Sequence, residues 1–242
     1  MFDFSICHPR STFCNQDTKI SIVIPVLNET ALIVQTLSAL QPWRLAGHEL
    51  IVVDGGSDDA TIALSEPVVD QIIRSSRGRS LQMNAGARVA RGGVLLFLHA
   101  DTSLPEGADR WIIDGLNRHR KSWGRFDVQL SGRGFLLRIT EWLMNWRSRL
   151  TGIATGDQGI FVERKLFEAV GGFPEIELME DIALSKTLKK QGRPLCLRHR
   201  ILTSSRRWEK GGVLRTILLM WSLRLAYFLG AHPRRLARFY QT

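Results

Sequence analysis

The sequence has few of the residues that build a covalent scaffold: Cys7, Cys14 and Cys196 are the only cysteines in 242 residues, and none belongs to a CxxC pair. Three thiols cannot form a disulfide framework, and without CxxC the usual redox and zinc signatures are missing too. Cys7, His8 and Cys14 could be imagined as half a metal site, but two free thiols on an irregular N-terminal extension is the simpler reading. The chain does not open with a basic stretch followed by an apolar one, so no signal peptide is expected, and a reducing, cytoplasmic compartment follows. Long apolar runs are also lacking. The nearest is 213–230, with Ile217-Leu218-Leu219-Met220-Trp221, and Arg215 and Arg224 interrupt it. A spanning helix needs about 20 mostly apolar residues, and each arginine at mid-depth costs roughly 2.5–3.5 kcal/mol. This segment is expected to pack on the domain, to join two copies, or to lie in the plane of a membrane.

Lysine is scarce. Seven of the 33 basic residues are Lys and the other 26 are Arg, in a chain of net charge +10. The planar guanidinium suits bidentate phosphate recognition, so the bias points to a polyanionic ligand or an anionic surface, and equally to a genome that favours Arg codons. Hydrophobic content of 44% and charged content of 23% exclude a disordered chain. No repeat, low-complexity tract or linker is evident. The length suits one α/β domain at 19–210, preceded by an extension at 1–18 and followed by an apolar, basic helical segment at 211–242.

Ile20-Ser21-Ile22-Val23-Ile24 predicts a strand buried on both faces and ending at Pro25. A helix follows Asn28-Glu29, with Leu32, Ile33, Leu37 and Leu40 at helical spacing. Further strands are predicted at Leu50–Val53, Gln71–Ile73 and Val94–Leu98, with a short helix near Asp58 and another over Leu81–Ala90. Strands alternating with helices imply a mostly parallel central sheet between helical layers. In the second half, Phe126–Leu130 reads as a half-exposed strand. Phe135, Ile139, Trp142, Leu143, Trp146 and Leu150 form one helical stripe, opposite Arg138, Glu141, Asn145 and Ser148. Gly159–Val162 predicts a strand, and Lys165–Val170 and Asp181–Lys190 predict helices.

Ligands of open α/β sheets sit beyond the carboxyl ends of the strands, where strand order reverses. Here those ends carry Pro25-Val26-Leu27-Asn28-Glu29, Asp54-Gly55-Gly56-Ser57-Asp58-Asp59 and His99-Ala100-Asp101-Thr102. Asp58 or Asp59 alone could be a helix cap. Three acidic strand ends together point to a site.

In order and spacing, Ser21–Glu29, Val53–Asp59 and His99-Ala100-Asp101 resemble the family 2 glycosyltransferases of the GT-A fold, a Rossmann-like, nucleotide-binding three-layer α/β domain. The resemblance runs from about Ile20 to Trp208. The runs Gly78–Ala87, Phe97–Thr102, Gly156-Asp157-Gln158-Gly159 and Met179-Glu180-Asp181 look like a small bacterial subgroup often labelled arsenosugar-biosynthesis glycosyltransferases.

The resemblance implies inverting transfer of a glycosyl group from a nucleotide-diphosphate sugar, with UDP-sugars favoured, to an acceptor hydroxyl. It implies a site in which Pro25, Asn28, Glu29, Asp54, Ser57, Arg77, Arg79, Asn84 and Asp101 meet the donor. Asp54 would accept a hydrogen bond from the base, and Arg77 and Arg79 would clamp base or phosphate. Asp101 matches the last aspartate of the family's Asp-x-Asp signature, which binds Mn²⁺ or Mg²⁺ across the two phosphates. His99 replaces the first aspartate and becomes a softer candidate ligand or a ribose contact.

Asp181 matches the family's base, with Glu180 as its support. An ionised carboxylate of ordinary pKa serves that role, and adjacent residues on a helix point about 100° apart, so only one of the two is expected to reach the reacting centre. Gly156, Asp157, Gln158 and Trp208 would line the acceptor side, and Arg207 would pair with the leaving diphosphate. Arg207 and Trp208 resemble the end of a Gln-x-x-Arg-Trp motif, with Ser204 in place of the glutamine, so processive synthesis is not expected. The acceptor, a small molecule or a lipid-linked one, is not legible, and no specific nucleic acid is implied. Peripheral membrane contact, or a homodimer through 213–230, is left open.

Two other classes remain. A nucleotidyltransferase would share the layout but carry a Gly-rich, basic loop where Pro25–Glu29 stands, and an NAD-dependent enzyme would show GxGxxG there. A non-catalytic basic module for nucleotides, nucleic acid or membrane surfaces needs none of the acidic strand ends.

Overall fold

In a computed structural model, described over residues 18–206 and 211–241, the β-branched run forms β1 (Ile20–Val26). It pairs in parallel with β2 (Glu49–Asp54) on one side and β4 (Val94–Phe97) on the other, and β3 (Gln71–Arg74) extends the sheet beyond β2. The short β5 (Thr102–Ser103), then β6 (Trp123–Leu130), β7 (Ile160–Glu163) and β8 (Leu195–Thr203), complete the order β3-β2-β1-β4-β7-β6-β8-β5. The chain steps outward from β1 to β3 and returns to β4 on the other side of β1, so strand order reverses between β1 and β4.

Period-two alternation divides the core between two faces. Ile20, Ile22 and Ile24 pack with Ile33, Leu37 and Leu40 of α1 (Thr30–Leu45) and with Ile112 and Leu116 of α4 (Ala108–His119). Val23, Ile51 and Val53 turn the other way. They meet Met83 and Ala87 of α3 (Arg79–Val89), Phe167 of α6 (Arg164–Ala169), and Leu184 and Leu188 of α7 (Glu180–Gln191). Each such side chain contributes roughly 1.5–3 kcal/mol on burial. The result is the three-layer GT-A-like arrangement. The short helix predicted near Asp58 begins at Thr61 (α2, Thr61–Ser65). Neither α4 nor β8 stands out in the sequence: Gly115 interrupts one, and Arg198-His199-Arg200 the other.

Two expectations are overturned together. Phe126–Leu130 is not half-exposed, because β6 is buried along nearly its whole length, Arg125 and Asp127 included. The stripe of α5 (Phe135–Thr151) is inverted as well. Phe135, Ile139, Trp142, Trp146 and Leu150 are exposed, while Thr140, Glu141 and Ser148 are buried. The cause is unpaired backbone. β7 reaches only Trp123 and Gly124 of β6, so the rest of that edge needs other partners. Asn145 supplies them at Val128, accepting from its N–H at 2.8 Å and donating to its carbonyl at 3.0 Å. Glu141 accepts from Leu130 N–H, and Arg138 donates to the Leu130 and Gly132 carbonyls at 2.6 Å. Beneath them, Asp127 pairs with both Arg125 and Arg149. The polar stripe closes a sheet edge, so the apolar stripe faces outward.

Beyond the sheet, α8 (Val213–Phe228) and α9 (Pro233–Gln241) attach through Leu223 and Leu236, which are buried with Ile153, Met179 and Ile182. No described helix is long and apolar enough to cross a membrane.

The fit of α3 to the sheet gives a test. A Cβ on Gly86 would lie 2.4 Å from Val23 Cγ1 and 2.8 Å from Val53 Cγ2. Gly→Ala inside a helix normally stabilises by up to about 1 kcal/mol. Here, overpacking should reverse the sign, and Gly86→Ala should destabilise by about 1–3 kcal/mol in urea unfolding. Unchanged or increased stability would show that α3 is not seated this closely.

Candidate active site

The polar strand ends converge where strand order reverses. The loop after β1 is fixed by side chains: Asn28 N–H donates to Ser57 Oγ at 3.0 Å, and Asn28 Oδ1 accepts from Asp58 N–H at 3.0 Å. Asn28 is left-handed at φ 56°, a conformation asparagine tolerates better than most residues. Neither Asp58 nor Asp59 is a helix cap, since Ala60 and Glu29 hold the N-cap positions of α2 and α1. Asp59 accepts from the Thr30 hydroxyl and from both the hydroxyl and N–H of Thr61, bonds that hold its pKa down at about 2.

Two adjoining cavities open on this rim. One is lined by Pro25, Leu27, Glu29, Arg77 and Gln82. The other is lined by Gly156, Asp157, Met179, Asp181, Thr216 and Arg224. Arg79, His99, Asp101, Leu178 and Glu180 belong to both, and so form their common wall. Asp101 and Asp181 therefore share one cleft, as the motifs suggested.

The other predicted residues divide into those that face this cleft and those that hold it in shape. Asp54 ends β2 in register with Val26, is 3% exposed, and accepts from Ser57 N–H at 2.9 Å. It sits behind the rim and lines neither cavity. Asn28 and Ser57 are likewise spent on the loop. Asn84 exchanges two hydrogen bonds with the backbone of Phe173, at 2.8 and 2.9 Å, and Gln158 is fully buried in a capping box with Thr155. Both are structural clamps. Arg207 and Trp208 lie outside the described residues.

Electrostatics mark the centre of the cleft. The carboxyl of Glu29 is raised first by burial and then by the charge of Asp101, with Arg206 and Arg79 opposing. Glu180 is pushed up to about 7, first by burial and then by the neighbouring charge of Asp181, again against Arg79. Glu180 and Asp181 both line the cavity wall, at a helix entry where Met179 is left-handed at φ 69°. Asp181 Oδ2 accepts from Gly156 N–H at 2.9 Å, which ties α7 to the loop before β7. His99 Nδ1 lies 3.5 Å from Asp157 Oδ1. Burial raises the Asp157 carboxyl, but the imidazole, with Arg79 and Arg224, more than offsets this and holds it below the ordinary range. A Cβ on Gly156 would fall 2.7 Å from the same ring, so glycine is required for this approach.

Sequence reasoning missed α8 as a wall of the site. Thr216, Met220 and Arg224 face the cleft. Arg147 lies behind them, its pKa brought down to about 10 by burial and by the charge of Arg224. The only available signal was the pair Arg215 and Arg224 in an otherwise apolar segment.

Comparison with known proteins accords with this geometry. A family model described as glycosyl transferase family 2 matches residues 21–164. A PGL/p-HBAD biosynthesis glycosyltransferase of Mycobacterium bovis is 34% identical over 93 residues, covering 36% of this chain and 36% of that protein. The probable glycosyltransferase YdaM of Bacillus subtilis is 26% identical over 191 residues, covering 69% of this chain and 46% of that protein. The chain thus spans less than half the length of these curated relatives. In fold it is similar to S. aureus TarS 1-349 in complex with UDP-GlcNAc, with a TM-score of 0.62 at 17% identity over 77% of this chain and 58% of that one. It is also similar to glucosyl-3-phosphoglycerate synthase of Mycobacterium tuberculosis in complex with Mn²⁺, UDP and glucosyl-3-phosphoglycerate, with a TM-score of 0.56 at 20% identity over 76% and 70%.

The elevated Glu180 predicts a pH signature. Its folded pKa of about 7 exceeds the ordinary 4.5, so the folded state holds the extra proton between those values and loses stability as pH rises through them. Glu180→Gln removes this loss. Melting curves should show the variant more stable than wild type at pH 8, by at most about 3 kcal/mol, with the gap closing towards pH 5. A gap independent of pH would contradict the assignment.

Proposed function

The chain belongs to glycosyltransferase family 2, and from that premise we propose that it transfers a glycosyl group from a nucleotide-diphosphate sugar to an acceptor hydroxyl, with inversion. The observation that carries this reading is the common wall of the two cavities. Asp101 and Glu180 face both, so a donor on the Pro25–Glu29 side and an acceptor on the Asp157–Asp181 side would meet between them. UDP-sugars are the favoured donors. Within the family, the runs Gly78–Ala87 and Gly156–Gly159 support placement in the arsenosugar-biosynthesis subgroup.

The residues suit a divalent cation bound jointly with phosphate. Among the described residues, no group of three or more His, Cys, Asp or Glu could hold an ion unaided. Asp101 offers a hard carboxylate at the open cleft, and its charge adds to the elevation of Glu29. Such a donor set needs phosphate oxygens to complete it, and it fits Mn²⁺ or Mg²⁺ held by Asp101, with His99 beside it. When bound, the cation supplies charge neutralisation at the departing diphosphate.

The protein's own part is to position groups and move a proton. Arg79 lies within electrostatic reach of Glu29, Asp157 and Glu180, where it can hold phosphate against the rim. Gly56 leaves open space at the end of β2, while Gly55 packs against the Gln82 side chain, and Asp54 orders the turn that would receive the base. Asp181 is oriented by Gly156 N–H at 2.9 Å and by Ile182 N–H at 2.7 Å, and it takes the proton of the acceptor hydroxyl. Glu180, buried beside it, supports that base or contacts the acceptor. With one base and no second nucleophilic carboxylate assigned, a single displacement inverts the anomeric carbon.

Release of nucleoside diphosphate from a panel of UDP-sugars, incubated with mixed sugar and lipid acceptors and Mn²⁺, tests this reading. Asp181→Asn should lower turnover by about 10²–10⁴-fold and leave the affinity for UDP nearly unchanged. Asp101→Ala should lower both turnover and Mn²⁺-dependent UDP binding. Turnover that survives both substitutions would remove these residues from the mechanism.

A further inference from the structure

We propose that the outward faces of α5 and α8 form a docking surface for an anionic lipid bilayer, seating the protein with these two helices in the plane of the membrane interface. This goes beyond the transferase reading and does not depend on it, since docking needs neither donor nor acceptor.

The first observation is the inverted helix. On α5, residues 135, 139, 142, 146 and 150 share one face, are all large and apolar, and are between 39% and 77% exposed. Its polar stripe is committed to the β6 edge and cannot cover them. The second observation is α8, which packs against α5 and repeats the pattern: Leu214, Leu218, Trp221, Leu225 and Phe228 are 56–69% exposed, while the opposite side carries Leu223 into the core and Arg224 to the cleft. Soluble surfaces rarely carry contiguous apolar patches of this size without a partner.

Charge selects the partner. After Asp181 the sequence contains one acidic residue, Glu209, and α8 and α9 contain none, against Arg215, Arg235 and Arg238, besides Arg224 at the cleft and Arg234 paired with Glu177 at 3.0 Å. Beside the parallel-stacked Trp142 and Trp146, whose ring centroids are 5.8 Å apart, a cavity is lined by Arg200 together with Arg138 and Arg149, the last two paired with Glu141 and Asp127. Tryptophan and arginine flanking an apolar helix face is the composition that settles at the headgroup level, where the rings meet the acyl boundary and guanidinium groups meet phosphate. A second copy is the less fitting occupant. A two-fold interface would bring the same arginine-rich faces together without acidic partners. At 16 residues α8 is about 24 Å long, short of the bilayer core, so it lies along the membrane and does not cross it. Docked this way, α8 would touch lipid with one face and line the cleft with the other.

Flotation of the full chain with vesicles tests the proposal. The protein should float with vesicles of equal parts phosphatidylcholine and phosphatidylglycerol, bind phosphatidylcholine alone at least about tenfold more weakly, and lose most binding in high salt. Trp142→Glu with Trp146→Glu, and separately Leu218→Glu with Trp221→Glu, should each lower partitioning by at least about tenfold. Phenylalanine at the same tryptophans should retain it, which separates lost docking from lost folding. Failure to float with anionic vesicles would overturn the proposal. So would binding indifferent to the glutamate variants, or a solution dimer by light scattering that those variants dissociate.

Discussion

Carboxylates gathered at the rim of a parallel sheet repel one another unless a cation joins them, and this constraint organises the molecule. Glu29 ends the loop after β1, Asp101 follows β4, and Glu180 and Asp181 open α7, yet all four face one connected cleft. The raised carboxyls of Glu29 and Glu180 record burial first and like charge second. Arg79, from the start of α3, offsets part of that charge. In the proposed function, this crowding lies where a polyanion and a cation bind together.

The scaffold explains how so few residues hold this arrangement. The Asn28–Ser57–Asp54 bonds fix the first two strand ends to each other. The bond from Gly156 to Asp181 fixes the later loop to α7, and Asn84 fixes α3 to the turn at Phe173. Residues that family likeness marks as ligand contacts thus fall into two kinds, those that face the cleft and those that keep its walls in register. Asn84 and Gln158 are of the second kind.

The first half was legible because β1, β2 and β4 are buried on both faces and each is followed by a polar run, so composition and position carry the same message. Hydrophobic period failed at α5. It assumes that an apolar stripe seeks the core, and here unpaired backbone on β6 had the stronger claim on the helix's polar side. The same rule missed β8, whose Arg198-His199-Arg200 interrupts the alternation, and α4, where Gly115 weakens the helical signal. That α8 walls the site was not readable, because the placement of residues 101 and 224 on one cavity is set by tertiary packing alone.

The central claim is that nucleotide and cation bind this rim as one unit. Calorimetric titration of the wild-type protein with nucleoside diphosphates, in Mn²⁺ and then in chelator, addresses it most directly. The account predicts that one diphosphate, UDP foremost, binds in Mn²⁺ and loses at least about tenfold in affinity without it. Equal affinity in both conditions, or no diphosphate binding in either, would contradict it.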